Sequence, residues 1–215
     1  MEYLTNIPDQ VKEYGFCKNL AVRKEVIHLK HILTEIFVRK TINIEKELSK
    51  IGYTLFDYIQ EITNRLRRIH HFTRLYENNP NHIVKSDRDR FFPTIKLLKG
   101  LSVVIVLDFD GVVTENSFKD LYNLCHQRAN VHICSANPTV TNEWFLKRNL
   151  PLPSKIHSMK GKVKKIKRLI ELQRKYDYIF FVDNEIEYLN YAWLFGIQTY
   201  HYTDKVIKYY SRKTK

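Results

Sequence analysis

The residues Val103 to Asn116 read VVIVLDFDGVVTEN. Five apolar residues, four of them β-branched, run without polar alternation into two aspartates one residue apart, and then a glycine. A short run of this kind suits a strand covered on both faces, as strands of parallel sheets are. Parallel strands cannot be joined by tight hairpins; each pair needs a crossover, usually helical. One segment therefore constrains the chain around it to alternate strands with helices.

The sequence after residue 100 supplies that alternation. A helical pattern near Phe118 to Arg128 is followed by the apolar segment VHICS, Val131 to Ser135. NPTVTNEWFLKRN reads as a helix with Pro138 at its start, and KVKKIKRLIELQRKY as another. YIFFVD ends at Asp183 as a third buried strand; LNYAWLFG is helical and stops at Gly196; IQTYHY is a last strand. The expected fold is α/β, a Rossmann-like doubly wound parallel sheet over residues 99–215.

Residues 1–98 differ. Gly and Pro are scarce, and helical periodicity dominates. One helix is expected from about Asn19 to Arg39. A second is expected from Ile44 to about Tyr76, because Ile44, Leu48, Ile51, Leu55, Tyr58, Ile62, Leu66 and Ile69 recur every three or four residues. A helix of that length needs a partner along its apolar stripe, so an antiparallel hairpin with the first helix is expected. Such an arm serves self-association or partner docking, or packs on its own chain.

Ligands of open parallel sheets sit beyond the carboxyl ends of the strands. Three strands here end in polar residues: Asp108 with Asp110, then Ser135, then Asp183. The apolar body fixes where the carboxylates point, and Gly111 permits the sharp turn that brings backbone N–H groups near a ligand. Carboxylates from two strands make a hard-oxygen site of the kind Mg²⁺ prefers, completed by water and a phosphate oxygen. One carboxylate can attack phosphorus, the next can move the proton, and Ser135 and a lysine can offset the developing charge.

On these residues the chain resembles the haloacid dehalogenase-like (HAD) superfamily. DFDGVVT is similar to its first motif, VHICS to its second, KVKKIKRL to the segment bearing its third-motif lysine, and YIFFVDNE to its fourth. Within the superfamily the arrangement is similar to the small, capless, magnesium-dependent protein-phosphatase-like members. The resemblance covers about Leu101 to Tyr202 and implies an aspartyl-phosphate phosphatase with Mg²⁺ as cofactor. It implies Asp108 as nucleophile and metal ligand, and Asp110 as general acid/base with its carbonyl on the metal. Ser135 would hold the phosphoryl group, together with Gly111 and Ala136. Lys162 would be the site lysine, with Lys160 as the alternative, and Asp183 and Asn184 would complete the metal site. Many relatives carry a second acid where this chain has Asn184; Glu185 or Glu187 are substitutes within reach in sequence. With its helical region ahead of the core, the chain also looks like nucleocapsid-associated phosphatase-like proteins of large insect DNA viruses, which would place it in a host cell or virion.

Only 27 residues separate Asp108 from Ser135 and 48 separate Ser135 from Asp183, which leaves no room for a sizeable cap. An open site suits a phosphorylated macromolecule, a phosphoprotein or a nucleic-acid end, better than an enclosed metabolite. The charge points the same way. The chain carries a net +13, and both halves are basic, a balance that favours polyanions; biased codon usage in an AT-rich genome yields similar Lys, Ile and Asn richness. Lys160 to Arg168 holds six basic residues in nine and is the expected polyanion strip. Three scattered cysteines, Cys17, Cys125 and Cys134, form neither a disulfide framework nor a paired metal spacing, and no apolar run spans a membrane. An intracellular protein, cytoplasmic or nuclear, is expected. The alternative is a catalytically weak scaffold of the same fold, in which basic surface and helical arm carry the function.

Overall fold

The computed structural model describes residues 20–77, 101–210 and 212, with side chains of the first stretch described from 25 to 69. The chain divides into two compact units, residues 1–88 with 194–196 and 213–215, and residues 89–193 with 197–212. The expected boundary at 98/99 lies outside the described residues.

The helical unit contains α1 (Leu20–Leu33), which runs into a π-helical turn over Thr34–Val38, then α2 (Ile44–Lys50) and α3 (Leu55–Glu77). The single helix expected from Ile44 onward is thus two helices, and the hairpin is a three-helix arrangement. The break has a local cause. Gly52 takes φ +69°, and Thr54 and Asp57 then form a reciprocal cap: Thr54 Oγ1 accepts from Asp57 N–H at 3.1 Å, and Asp57 Oδ2 accepts from Thr54 N–H at 2.9 Å. The apolar stripe survives the break, since Ile44, Leu48, Ile51, Tyr58, Ile62, Leu66 and Ile69 are all buried. A buried Glu25–Arg65 pair joins α1 to α3, with Arg65 Nη2 donating to Glu25 Oε2 at 2.7 Å and Nε donating to Oε1.

The second unit is α/β, with a six-stranded, mostly parallel sheet flanked by helices. Its elements are β1 (Val103–Leu107), α4 (Lys119–His126), β2 (Asn130–Ser135), α5 (Asn142–Leu146), β3 (Lys155–Ser158), α6 (Lys162–Lys175), β4 (Tyr178–Asp183), α7 (Ile186–Leu194), β5 (Gln198–Thr203) and β6 (Val206–Tyr209). The strand order is β3-β2-β1-β4-β5-β6. All neighbours are parallel except β5 and β6. Every residue of β1 and β4 is buried, as the unalternating sequence requires. Each buried Val, Ile, Leu or Phe contributes roughly 1.5–3 kcal/mol relative to exposure.

Two strands were not expected. β3 has only four residues, and β6 returns antiparallel through a turn at Asp204 and Lys205, both at positive φ (51° and 63°). That is the twist of a two-residue hairpin turn, here without the usual glycine. The chain runs outward from β1 to β2 and β3, then crosses back to β4 on the other side of β1. The β1/β4 junction is therefore the topological switch point, where the carboxyl ends of an open sheet leave a crevice.

Candidate active site

β1 and β4 deliver Asp108 and Asp183 to that crevice. Asp108 N–H donates to Val182 carbonyl at 2.9 Å, which fixes the carboxyl end of one strand against the other. Both carboxylates are buried, and one ammonium lies between them. Lys165 Nζ donates to Asp108 Oδ1 at 2.6 Å and to Asp183 Oδ2 at 2.7 Å. It also lies 4.1 Å from the Tyr188 ring centroid, a cation–π contact that replaces part of its lost hydration.

The lysine between the aspartates is thus Lys165, not Lys162 or Lys160. Lys162 sits one turn nearer the helix start and pairs with Glu187; Lys160 is exposed in the loop before α6. Helix phase explains the difference. Lys165 shares the inward face of α6 with Ile166, Leu169, Ile170 and Leu172, all buried. A lysine inside an apolar stripe was the signal available in the sequence.

Asp110 leaves the strand in a sharp π-like turn over Phe109–Val113, and its side chain is exposed. Ser135 Oγ donates to Asp110 Oδ2 at 3.4 Å and accepts from Asn137 N–H at 2.9 Å. Thus Ser135 stands beside Asp110 at the end of β2, with Ala136 exposed next to it. Gly111 adopts φ +77°, and a Cβ there would collide with the Asn184 side-chain amide. Only glycine lets the two loops close on each other. Gly111 N–H donates to Thr114 Oγ1 at 3.0 Å, and the Asn184 backbone carbonyl lies 3.0 Å from His201 Nε2. Thr114, Tyr188 and His201 were not anticipated, because their roles depend on loop closure and strand register.

The electrostatics follow from two carboxylates sharing one cation. Burial pushes the Asp108 carboxyl up to about 7; the Lys165 ammonium opposes this and the Asp183 charge adds to it. Asp183 is likewise raised by burial against the pull of Lys165. Burial would lower Lys165, but the two carboxylates outweigh it and hold the ammonium above its usual range. With both acids ionised the cluster carries one excess negative charge in a poorly hydrated place.

No protein-family model, curated protein or solved structure matches this chain. The site's chemistry therefore rests on its own geometry. The excess charge and the carboxylate oxygens of Asp108 and Asp183 are of the chemistry that a hard divalent cation takes. Asp183 Oδ1 is already engaged by Glu185 N–H at 2.8 Å. Among the described residues, no three His, Cys, Asp or Glu side chains converge as a metal cluster. Of the two substitute acids, Glu187 is paired with Lys162, and Glu185 gives its backbone N–H to Asp183. Nor is any helix among the described residues long and apolar enough to cross a membrane.

Proposed function

We propose that the α/β unit is a Mg²⁺-dependent phosphomonoester phosphatase of the capless HAD type, working through an aspartyl-phosphate on a macromolecular substrate. The observation that carries this reading is the Lys165 ammonium shared by Asp108 and Asp183 at the switch point, with Asp110 meeting Ser135 at the neighbouring ends of β1 and β2. A carboxylate oxygen of Asp108 attacks phosphorus and the bond to the leaving oxygen breaks. Asp110, reachable from solvent, gives that oxygen its proton and then takes one from the water that attacks phosphorus, releasing inorganic phosphate and restoring Asp108. Ser135 donates to a phosphoryl oxygen, and Lys165 orients Asp108 and favours its ionised form against burial. Mg²⁺, held by Asp108, Asp183 and the Asp110 carbonyl, would offset the excess charge and the charge on the phosphoryl oxygens.

Mg²⁺ titrated against thermal unfolding tests the cation site without turnover. Binding raises the midpoint of the wild type and leaves that of Asp183→Asn unchanged; an equal shift in both excludes the assigned ligands. A second reading is a binding protein on the same scaffold with weak or lost catalysis. The amide of Asn184, in the place of a second acid and packed on Gly111, favours it.

A further inference from the structure

Charge in the α/β unit is sorted along the strand direction. The segments leaving the carboxyl ends of β1 to β4 (108–115, 135–141, 158–165 and 183–187) hold six carboxylates and four lysines. Two of those lysines are committed, Lys165 to Asp108 and Asp183, and Lys162 to Glu187. The segments leading into the amino ends of the same strands (101–103, 127–130, 147–155 and 174–178) hold six cations and one carboxylate, Asp177. The cations are Arg128, Lys147, Arg148, Lys155, Arg174 and Lys175.

The strip expected over Lys160 to Arg168 is broken up accordingly. Lys165 is inside, and Lys162 and Arg168 are in ion pairs with Glu187 and Glu171. The basic pole lies at the other end of the sheet. Two buried imidazoles lie near it, His132 opposite Lys155 in the β2–β3 register and His157 two residues further along β3. His132 and His157, 3.1 Å apart between Nδ1 and Nε2, are held neutral, both lowered to about 4. Burial is the main cause, with Lys155 and Lys175 adding to it in each.

We infer that this pole, at the amino ends of β2, β3 and β4, binds the phosphate backbone of nucleic acid, away from the candidate active site. In the order β3-β2-β1-β4 its cations span three strand spacings, about 14 Å. Duplex DNA presents one charge per ~1.7 Å of its axis, so several phosphates face that width at once. Lys147, Arg148, Lys155 and Lys175 are exposed and Arg128 is half-buried. The acidic carboxyl-end pole repels the same backbone, which orients the unit with its crevice turned outward.

The test is fluorescence anisotropy of the whole protein with a labelled mixed-sequence DNA duplex lacking terminal phosphates, over a range of salt. Lys155→Glu with Lys175→Glu is expected to lower affinity at least tenfold near 0.1 M salt, and to reduce the slope of log K against log salt by about 2. Lys155→Gln with Lys175→Gln moves both in the same direction by less, and decides the matter should the reversed pair fail to fold by circular dichroism. Lys160→Glu with Lys164→Glu stays within twofold. Unchanged binding by the folded Gln pair, a larger loss from the Lys160/Lys164 pair, or tighter binding of polyglutamate than of DNA overturns the inference. Asp108→Asn separates it from the proposed hydrolysis: that variant loses turnover and keeps its DNA affinity.

Discussion

The two units each bury an ionic cluster, and the clusters differ in their members. In the helical unit the Glu25 carboxylate meets the Arg65 guanidinium in a bidentate geometry. In the α/β unit two carboxylates meet one ammonium. The Glu25–Arg65 pair joins two helices, α1 and α3. Two carboxylates on one ammonium leave excess charge, and burial raises both acids against the pull of Lys165. Proteins store such imbalance where a ligand or a reaction removes it. The comparison teaches where two buried acids share one cation: at the carboxyl ends of β1 and β4, where an open parallel sheet takes its ligands.

Mutations can break the comparison at several depths. The largest effect is expected from Lys165→Met, which leaves two buried carboxylates facing each other. Urea unfolding at pH 7.5 should show a loss of about 3–5 kcal/mol. Part should return, relative to wild type, as pH falls and a proton takes the place of the ammonium, since both acids have raised values in the folded state. Glu25→Gln should cost about 3 kcal/mol by the same measurement, with no dependence on Mg²⁺, because that carboxylate holds the Arg65 guanidinium and lies outside the Asp108–Asp183 cluster.

Next comes a pH effect that belongs to neither ionic cluster. His132 and His157 are neutral when folded, with values near 4 against 6.5 when unfolded. Their contribution is complete above about pH 6.5. It is lost as pH falls toward 4, because the unfolded chain takes up protons that the folded one refuses. Unfolding free energy should decline by up to about 1.4 kcal/mol per pH unit for each imidazole in that window, and a His132→Phe, His157→Phe double variant should flatten the slope. The smallest stability effect is expected from Asp108→Asn. It relieves the imbalance, so the midpoint of thermal unfolding should stay or rise slightly. A drop like that of Glu25→Gln would mean that Asp108 is structural.

How much of this was legible in the sequence depended on how local each signal is. β1 and β4, with the acids at their tips, are contiguous strings, and VVIVLDFD and YIFFVD each state both the strand and its end. Ser135 followed from the same rule. Lys165 did not, because its meaning lies in the phase of α6, where it shares a face with Leu169 and Leu172 while Lys160, Lys162 and Lys164 crowd the sequence around it. β3 and β6 were hidden for other reasons: one is a four-residue edge strand, and the other depends on a hairpin turn made by Asp204 and Lys205 without glycine. The break between α2 and α3 lay beneath an unbroken apolar stripe; only the Gly52 turn and the Thr54–Asp57 cap reveal it. The sorting of charge between the ends of the sheet appears only once the strands are aligned.

The central claim is that an over-acidic cluster at the β1/β4 switch point performs phosphoryl transfer through Asp108. The most direct measurement is hydrolysis of an aryl phosphate by the purified protein, with Mg²⁺ or with EDTA, beside Asp108→Asn. The account predicts turnover that EDTA abolishes and that falls by at least about 10³ in the variant, equal to ~4 kcal/mol of transition-state stabilisation. Turnover that survives in Asp108→Asn, or none from the wild type on aryl phosphate, phosphopeptide and phosphorylated DNA ends, would contradict it.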